Sequence, residues 1–192
     1  MRGSDREESG AGVLFMISEK NMMHGLDYLG EDVAGWLMSE KHDGCRAYWD
    51  GHIMWSRGGK VINIPAEMRA ALPAFALDGE IHAGREGFEY ARQAVQYNKW
   101  LPVIEFSAFD APDVPGCFAV RYSFLENSLP YEGVVNFIQH DVCEGIDDAL
   151  SFMRDIQKCY GGEGVVLRDP DNMYRPGRSE QILKLKEAPE SC

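Results

Sequence analysis

No apolar run in this chain approaches the ~18 residues that a membrane-spanning helix needs. The five cysteines are scattered, odd in number and without a Cys-x-x-Cys pair, which argues against a zinc site or a disulfide frame and for reduced thiols in a cytoplasmic setting. His24, His42, His52, His82 and His140 show no ligand spacing, and all five are expected to be structural or exposed. Internal repeats and low-complexity stretches are missing too. Basic side chains are the scarcest resource. Nineteen Lys and Arg face thirty-one Asp and Glu, for a net charge of −12, whereas a duplex-binding protein usually carries a basic surface. Any phosphate-binding surface must therefore be local. Lys41, Arg46, Arg57 and Lys60 form one cluster along the chain, and Arg168, Arg175, Arg178, Lys184 and Lys186 another. If both line one cleft, phosphate can bind there while the outer faces stay acidic.

What is present fits one core or one bilobal domain in 192 residues. The polar, acidic start does not read as a secretory signal, so 1–12 is expected to be a loose tail, 13–186 the domain, and 187–192 a short tail. Strand-like runs recur at Leu37 to Ser39, Arg46 to Trp49, His52 to Ser56, Phe75 to His82, Val103 to Phe109, Val134 to His140, Gly164 to Arg168 and Gln181 to Lys186. Pro65 is expected at the first position of a short helix. Phe88, Ala91 and Val95 keep a helical period before Asn98. The clearest helix runs from Asp147 to Cys159, with Ile146, Ala149, Leu150, Met153 and Ile156 on one face and Gly161-Gly162 as its stop. Hairpins mixed with helices imply an α+β fold with mostly antiparallel sheets. Trp36, Trp49, Trp55 and Trp100 are expected in the core or a cleft wall.

Lys41 stands out, in Glu40-Lys41-His42-Asp43-Gly44-Cys45-Arg46. Two strand-like runs flank Asp50-Gly51, a two-residue hairpin signal, so Lys41 is expected on a short loop between strands, with Gly44 permitting the turn. A lysine held there can act as a nucleophile if burial or nearby cations strip its proton. Lys184 and Lys186 alternate along a strand and share a face, where both can offset charge on one phosphate; a strand edge guarded by lysines is the alternative. Glu80 and Glu163 fall on different strands, and carboxylates suit magnesium, which needs only one or two protein ligands. Arg46 and Arg57 can each present a bidentate fork to phosphate. Phe109 offers a flat face, while Phe106 reads as core. Asp43 is either a loop-orienting or a plain turn aspartate.

The string Lys41-x-Asp43-Gly44-x-Arg46 resembles the first signature of the covalent nucleotidyltransferases, which include ATP-dependent DNA ligases, RNA ligases and mRNA capping enzymes. Leu77-Asp78-Gly79-Glu80-Ile81, Phe106-Ser107-Ala108-Phe109-Asp110, Glu163-Gly164-Val165-Val166-Leu167-Arg168 and Leu183-Lys184-Leu185-Lys186 resemble the later motifs, in the family's order. The wording around Arg46-Ala47-Tyr48-Trp49-Asp50-Gly51 and Ser56-Arg57-Gly58-Gly59 is similar to minimal bacterial and phage ATP-dependent DNA ligases. The resemblance implies the nucleotidyltransferase (ATP-grasp-like) fold, with a nucleotide cleft between sheets flanked by helices. It implies that Lys41 takes AMP from ATP and passes it to the 5′-phosphate of a nick. It places Glu40, Lys41, Arg46, Arg57, Glu80, Phe109, Glu163, Lys184 and Lys186 around the nucleotide. Phe109 would stack on adenine, Glu80 would take a ribose or metal role, and Glu163 a metal role with Mg²⁺ or another divalent cation. Arg46 and Arg57 would face the ribose and the nick phosphates.

The expected partner is nicked duplex DNA, bound weakly by this chain alone, with no membrane partner and a bacterial or phage-infected cytoplasm as the setting. An RNA ligase or capping-type enzyme, and a non-catalytic derivative that binds nucleotides or nucleic-acid ends, stay open as alternatives. Ligases of the resembled family continue into an OB-fold domain after the last motif. The six residues after Lys186 are too few for one, so an OB-fold domain is expected to be absent here and supplied in trans or lost.

Overall fold

The computed structural model describes residues 21–186. The tails expected at 1–12 and 187–192, and residues 13–20 of the expected domain, lie outside the described residues. Two five-stranded sheets make up the framework. The first has the order β1 (Met23–Asp27), β10 (Gly177–Leu185), β9 (Gly164–Arg168), β2 (Leu37–Lys41) and β8 (Asp141–Val142). The second has the order β4 (Met54–Ser56), β3 (Cys45–Trp49), β5 (Leu77–His82), β6 (Glu105–Asp110) and β7 (Val135–Phe137). Only β1 with β10 and β6 with β7 pair in parallel. The helices are α1 (Ala66–Ala71), α2 (Phe88–Tyr97), α3 (Phe118–Ser128) and α4 (Ile146–Tyr160). The architecture is the expected α+β one. No described helix is long and apolar enough to cross a membrane.

Each sheet has its own core. Met54, Ile62, Met68, Leu77, Ile81, Ala91, Ala94 and Phe106 pack together on the second sheet, and Met38, Ala149, Met153, Ile156, Val165, Leu167 and Leu183 on the first. The apolar face of α4 is the one its period announced, and the helix ends at Gly161 with φ +67°. Asn98 stops α2 in the same left-handed conformation, φ +57°. Trp49 and Trp55 are buried, and Trp36 and Trp100 pack against the two cores.

Several expectations need correction. Lys41 is the last residue of β2 rather than a loop residue, because β9 pairs with β2 along its whole length, up to Lys41 opposite Gly164. Gly44 has no left-handed backbone. Its lack of a Cβ instead lets the chain lie directly against the Ile81 carbonyl and the Glu80 side chain of β5. The hairpin after β3 spans 50–53 rather than two residues. The Asp50 carboxylate accepts from the His52 and Ile53 backbone N–H groups and from the Trp55 indole, so β4 starts only at Met54. Pro65 caps α1 from outside, at ψ 153°. The strand expected over Val134 to His140 shortens to β7, the two-residue β8 lies beyond the expected run, and β10 begins at Gly177, before the expected Gln181.

Two elements with no sequence counterpart are β1 and α3. The buried face of α3 is Phe118, Arg121, Tyr122 and Leu125. Its spacing is helical, but an arginine and a tyrosine stand where apolar residues would reveal it. β1 carries a glycine in mid-strand, and a Cβ at Gly25 would lie 2.6 Å from Ile182 Cγ2. That close approach explains a residue that otherwise argues against a strand.

Candidate active site

The end of β2, the start of β9 and the end of β10 converge on Lys41. Its ammonium donates to Glu163 Oε2, and Lys186 Nζ lies 3.2 Å from Glu163 Oε1. One carboxylate thus bridges two lysines. Lys184 lies 3.6 Å from Asp27 of β1. Three cavities meet at Lys41. The first encloses ≈ 650 Å³ including its open mouth, and its wall combines the polar side chains of Glu40, Lys41, Arg46, Glu80 and Lys184 with the apolar ones of Phe109, Ile138, Val166 and Ile182. Phosphate would suit the cations and a base the apolar side chains. The second is a wider groove whose wall includes His24, Lys41, Arg46, Arg57, Arg178, Lys184 and Lys186, with Asp27 and Glu80 as its acids. The cations of the two sequence clusters therefore share one surface, as local concentration of positive charge requires. Lys60 and Arg175 are not among its lining residues.

Arg46 departs from its expected role. Its Nε and Nη2 donate to the two oxygens of Asp78, at 3.0 and 2.6 Å, and Nη2 also donates to the Met23 carbonyl. The fork expected to meet phosphate is engaged by a buried carboxylate, because Asp78 is fully buried and needs a cation. Arg168 is corrected for the same reason. It is 7% exposed and donates to Asp110 Oδ2, so it is held by an interior carboxylate, although it also lines the first cavity and not the groove. Arg121 of α3 gives Asp110 two more hydrogen bonds, at 2.7 and 3.1 Å. The Tyr174 hydroxyl donates to Asp78 at 2.7 Å. Asp78 and Asp110 already stood in the sequence inside apolar strands, and such acids demand buried partners.

Phe109 lines the enclosed cavity, and the guanidinium of Arg168 packs over its ring at 4.7 Å. Phe106 is fully buried in the core. The Glu40 carboxylate is held by Arg85 through hydrogen bonds of 3.0 and 2.7 Å. Arg57 is exposed on the rim of the groove. Asp43 lines a third cavity, beside Glu163 and Gly161-Gly162.

Burial pushes the Glu80 carboxyl up to about 8, with Asp78 and Glu163 adding to the rise and Lys41 and Arg46 opposing it. At neutral pH it therefore carries a proton and can both donate and accept, which suits a ribose hydroxyl. Among the described residues, no group of three or more His, Cys, Asp or Glu side chains is placed to hold a metal ion. Magnesium needs only one or two carboxylates when phosphate oxygens complete its shell. The partly exposed Glu163 fits that requirement better than protonated Glu80.

The histidines are not uniformly passive. His24 Nδ1 lies 3.3 Å from Arg46 Nη1 inside the basic groove. His42 lines the enclosed cavity. His82 and His140 are buried and His52 is exposed.

No family model matches the chain. It is 32% identical over 182 residues to the DNA ligase of Haemophilus influenzae, covering 91% of this chain and 66% of that protein. The chain thus spans just under two thirds of that relative's length. Among solved structures it is similar to a Lig E DNA ligase from a structure–function study of DNA binding with a minimal scaffold, at a TM-score of 0.77 and 27% identity, over 87% of this chain and 68% of that one. It is also similar to the Chlorella virus DNA ligase-adenylate, at 0.71 and 25%, over 86% of this chain and 67% of that one.

Proposed function

For a chain that belongs to the ATP-dependent DNA ligase family, with the fold of its nucleotidyltransferase domain, we propose that Lys41 is the residue that carries AMP. The observation that carries this reading is the convergence of Lys41, Glu163 and Lys186 beside a cavity lined by Lys41 and Lys184 together with the apolar Phe109, Ile138 and Val166. The Lys41 amine forms a bond to the α-phosphorus of ATP while the bond from that phosphorus to the bridging oxygen breaks, and pyrophosphate leaves. The ion pair with Glu163 aims the ammonium, which must give up a proton, to the Glu163 carboxylate or to solvent, before its lone pair can attack. Lys184 and Lys186 stabilise the charge that gathers on the phosphoryl oxygens. Glu80 holds a ribose hydroxyl, and Phe109 with Val166 and Ile138 contacts the base. Glu163 would hold a divalent cation, which supplies charge neutralisation at the phosphates. The basic groove then receives the nicked strand. AMP passes to its 5′-phosphate, and the 3′-hydroxyl displaces AMP to close the backbone. The proposed setting is the cytoplasm.

Intact-mass measurement after incubation with ATP and magnesium tests the reading, with the adduct site mapped by peptide. The expected result is one AMP on Lys41, absent in Lys41→Ala. AMP on another lysine, or undiminished labelling of the variant, would sink the assignment.

A further inference from the structure

The residue between Lys41 and Asp43 is unused by this mechanism, yet it stands at a junction. His42 lines the nucleotide cavity, the cavity beside Glu163 and Gly161-Gly162, and a cavity of ≈ 900 Å³ including its open mouth, whose wall includes Glu105, Ser107, Tyr131, Asn136 and Phe152. Glu40, His42 and Ile138 are common to the walls of the first and the last. This shared wall reaches Phe109 through Ile138, which follows β7 and whose N–H donates to the carbonyl of Ala108, the residue before Phe109. Of the three, Glu40 is held by Arg85 and Ile138 is aliphatic. His42 alone brings an unmet polar atom: its Nδ1 is buried without a hydrogen-bond partner.

The imidazole is nevertheless held in place. It packs edge-on against His82 with centroids 4.4 Å apart. His82 is itself fixed, since its Nδ1 accepts from the Gly84 N–H at 3.2 Å. Its Nε2 must then carry the proton that it donates to Ser107 Oγ at 2.7 Å, and the Ser107 hydroxyl donates to Asn136 Oδ1 at 2.6 Å. Burial, reinforced by Arg85 and Lys41, pushes the His42 pKa down to about 4, so the ring is neutral and offers one donor and one acceptor. A buried nitrogen left without a partner is costly, and a bound base would remove that cost.

We propose that His42 determines nucleotide specificity: its imidazole closes the nucleotide cavity beside the base, hydrogen-bonds the base edge, and excludes purine nucleotides enlarged at the exocyclic amine. The proposal rests on the nucleotide reading of the cavity. Removing the ring would join the nucleotide cavity to the ≈ 900 Å³ space beside it, which has room for an aryl substituent.

The test is equilibrium binding of ATP and N6-benzyl-ATP by titration calorimetry, with adduct formation followed in parallel by intact mass. Because binding and labelling are read separately, failure of the Lys41 chemistry is distinguishable from failure of the His42 role. Wild type is expected to prefer ATP by at least ~10-fold. His42→Ala should weaken ATP binding by about 10-fold, the loss of one good hydrogen bond, and should bind the benzyl analogue as well as ATP or better. His42→Phe, which keeps bulk without nitrogens, should still exclude the analogue while losing the same ATP affinity, and His42→Gln should recover most of it. An unchanged ATP-to-analogue ratio in His42→Ala overturns the proposal, as does wild-type ATP affinity in His42→Phe or no ATP binding by wild type. If His42→Ala does not fold, the bulk-retaining Phe and Gln variants decide by the same ATP criterion.

Discussion

Replacing Asp110 by Asn keeps its shape and removes its charge from a fully buried site. The carboxylate accepts from Arg121 Nε and Nη2, from Arg168 Nη1 and from the Ala111 N–H, at 2.7, 3.1, 3.2 and 2.8 Å. Arg121 and Arg168 have side chains only 1% and 8% exposed. Together with Arg46 and Asp78, the interior beneath Phe109 holds three guanidiniums and two carboxylates, a net of +1. Losing Asp110 raises that to +2, with two arginines facing a neutral amide. Breaking a buried ion pair from one side costs ~3–5 kcal/mol, because the remaining charge stays desolvated. Arg121 keeps the carbonyls of Gly116 and Asn172, which argues for the lower half of that range. In a domain of this size ~3 kcal/mol lowers Tm by about 6–12 °C.

Urea unfolding followed by circular dichroism and tryptophan fluorescence measures the loss directly. Asp110 adjoins Phe109, and Arg168 packs on that ring, so the loss should be accompanied by weaker ATP binding. The pair Asp110→Leu with Arg121→Met, which removes charge from both sides, should be less destabilised than Asp110→Asn. A cost below ~1 kcal/mol for Asp110→Asn, the size expected of a solvated pair, would refute the claim that this carboxylate ties β6, α3 and β9 together.

Two further outcomes are expected. His42 and His82 are held down to about 4 and His140 to about 3, in each case mainly by burial. The unfolded chain takes up these protons near pH ~6.5, so the histidines' contribution is complete above that pH and is lost as the pH falls toward 3–4. Near pH 5 the slope approaches ~4 kcal/mol per pH unit for three protons. Stepwise acid titration by circular dichroism should show a cooperative transition that His140→Gln makes shallower, and an unchanged slope in that variant would count against the assignment. Glu163→Gln should slow AMP transfer at least ~10-fold while leaving Tm within a few degrees, since the carboxylate is partly exposed. Equal single-turnover labelling rates at limiting magnesium would reject its role.

The strands that carry Glu80, Phe109 and Lys184 announce themselves in the sequence because each is a short apolar run with local punctuation, and so does β9, although Glu163 stands just before it rather than on a strand as expected. Their helical counterpart α4 does the same through its period. What escaped is what depends on contacts distant in the chain. β1 is a strand because Gly25 lets it lie against Ile182 of β10, and no local signal records that pairing. α3 is hidden because its inward face includes Arg121, whose reason for being buried is a carboxylate eleven residues earlier on another element. Arg46 is misjudged by the same logic. A fork two residues past Gly44 looks available to phosphate until Asp78, which pairs with Tyr48 two residues further along β3, accepts from its Nε and Nη2.

Charge shows most sharply how placement outweighs totals. The excess of acid over base suggests a surface hostile to phosphate, but the sum runs over groups that never face the same solvent. Asp78 and Asp110 are fully buried and are spent on Arg46, Arg121 and Arg168. They neutralise the interior, not the surface. The groove at the end of β2, the start of β9 and the end of β10 meanwhile gathers Lys41, Arg57, Arg178, Lys184 and Lys186 against Asp27 and Glu80, and burial pushes the Glu80 carboxyl up to about 8. A low-dielectric cleft lined by one sign of charge focuses its field outward, so a chain that is acidic in sum can still offer a phosphate a favourable approach on the face where Lys41 lies.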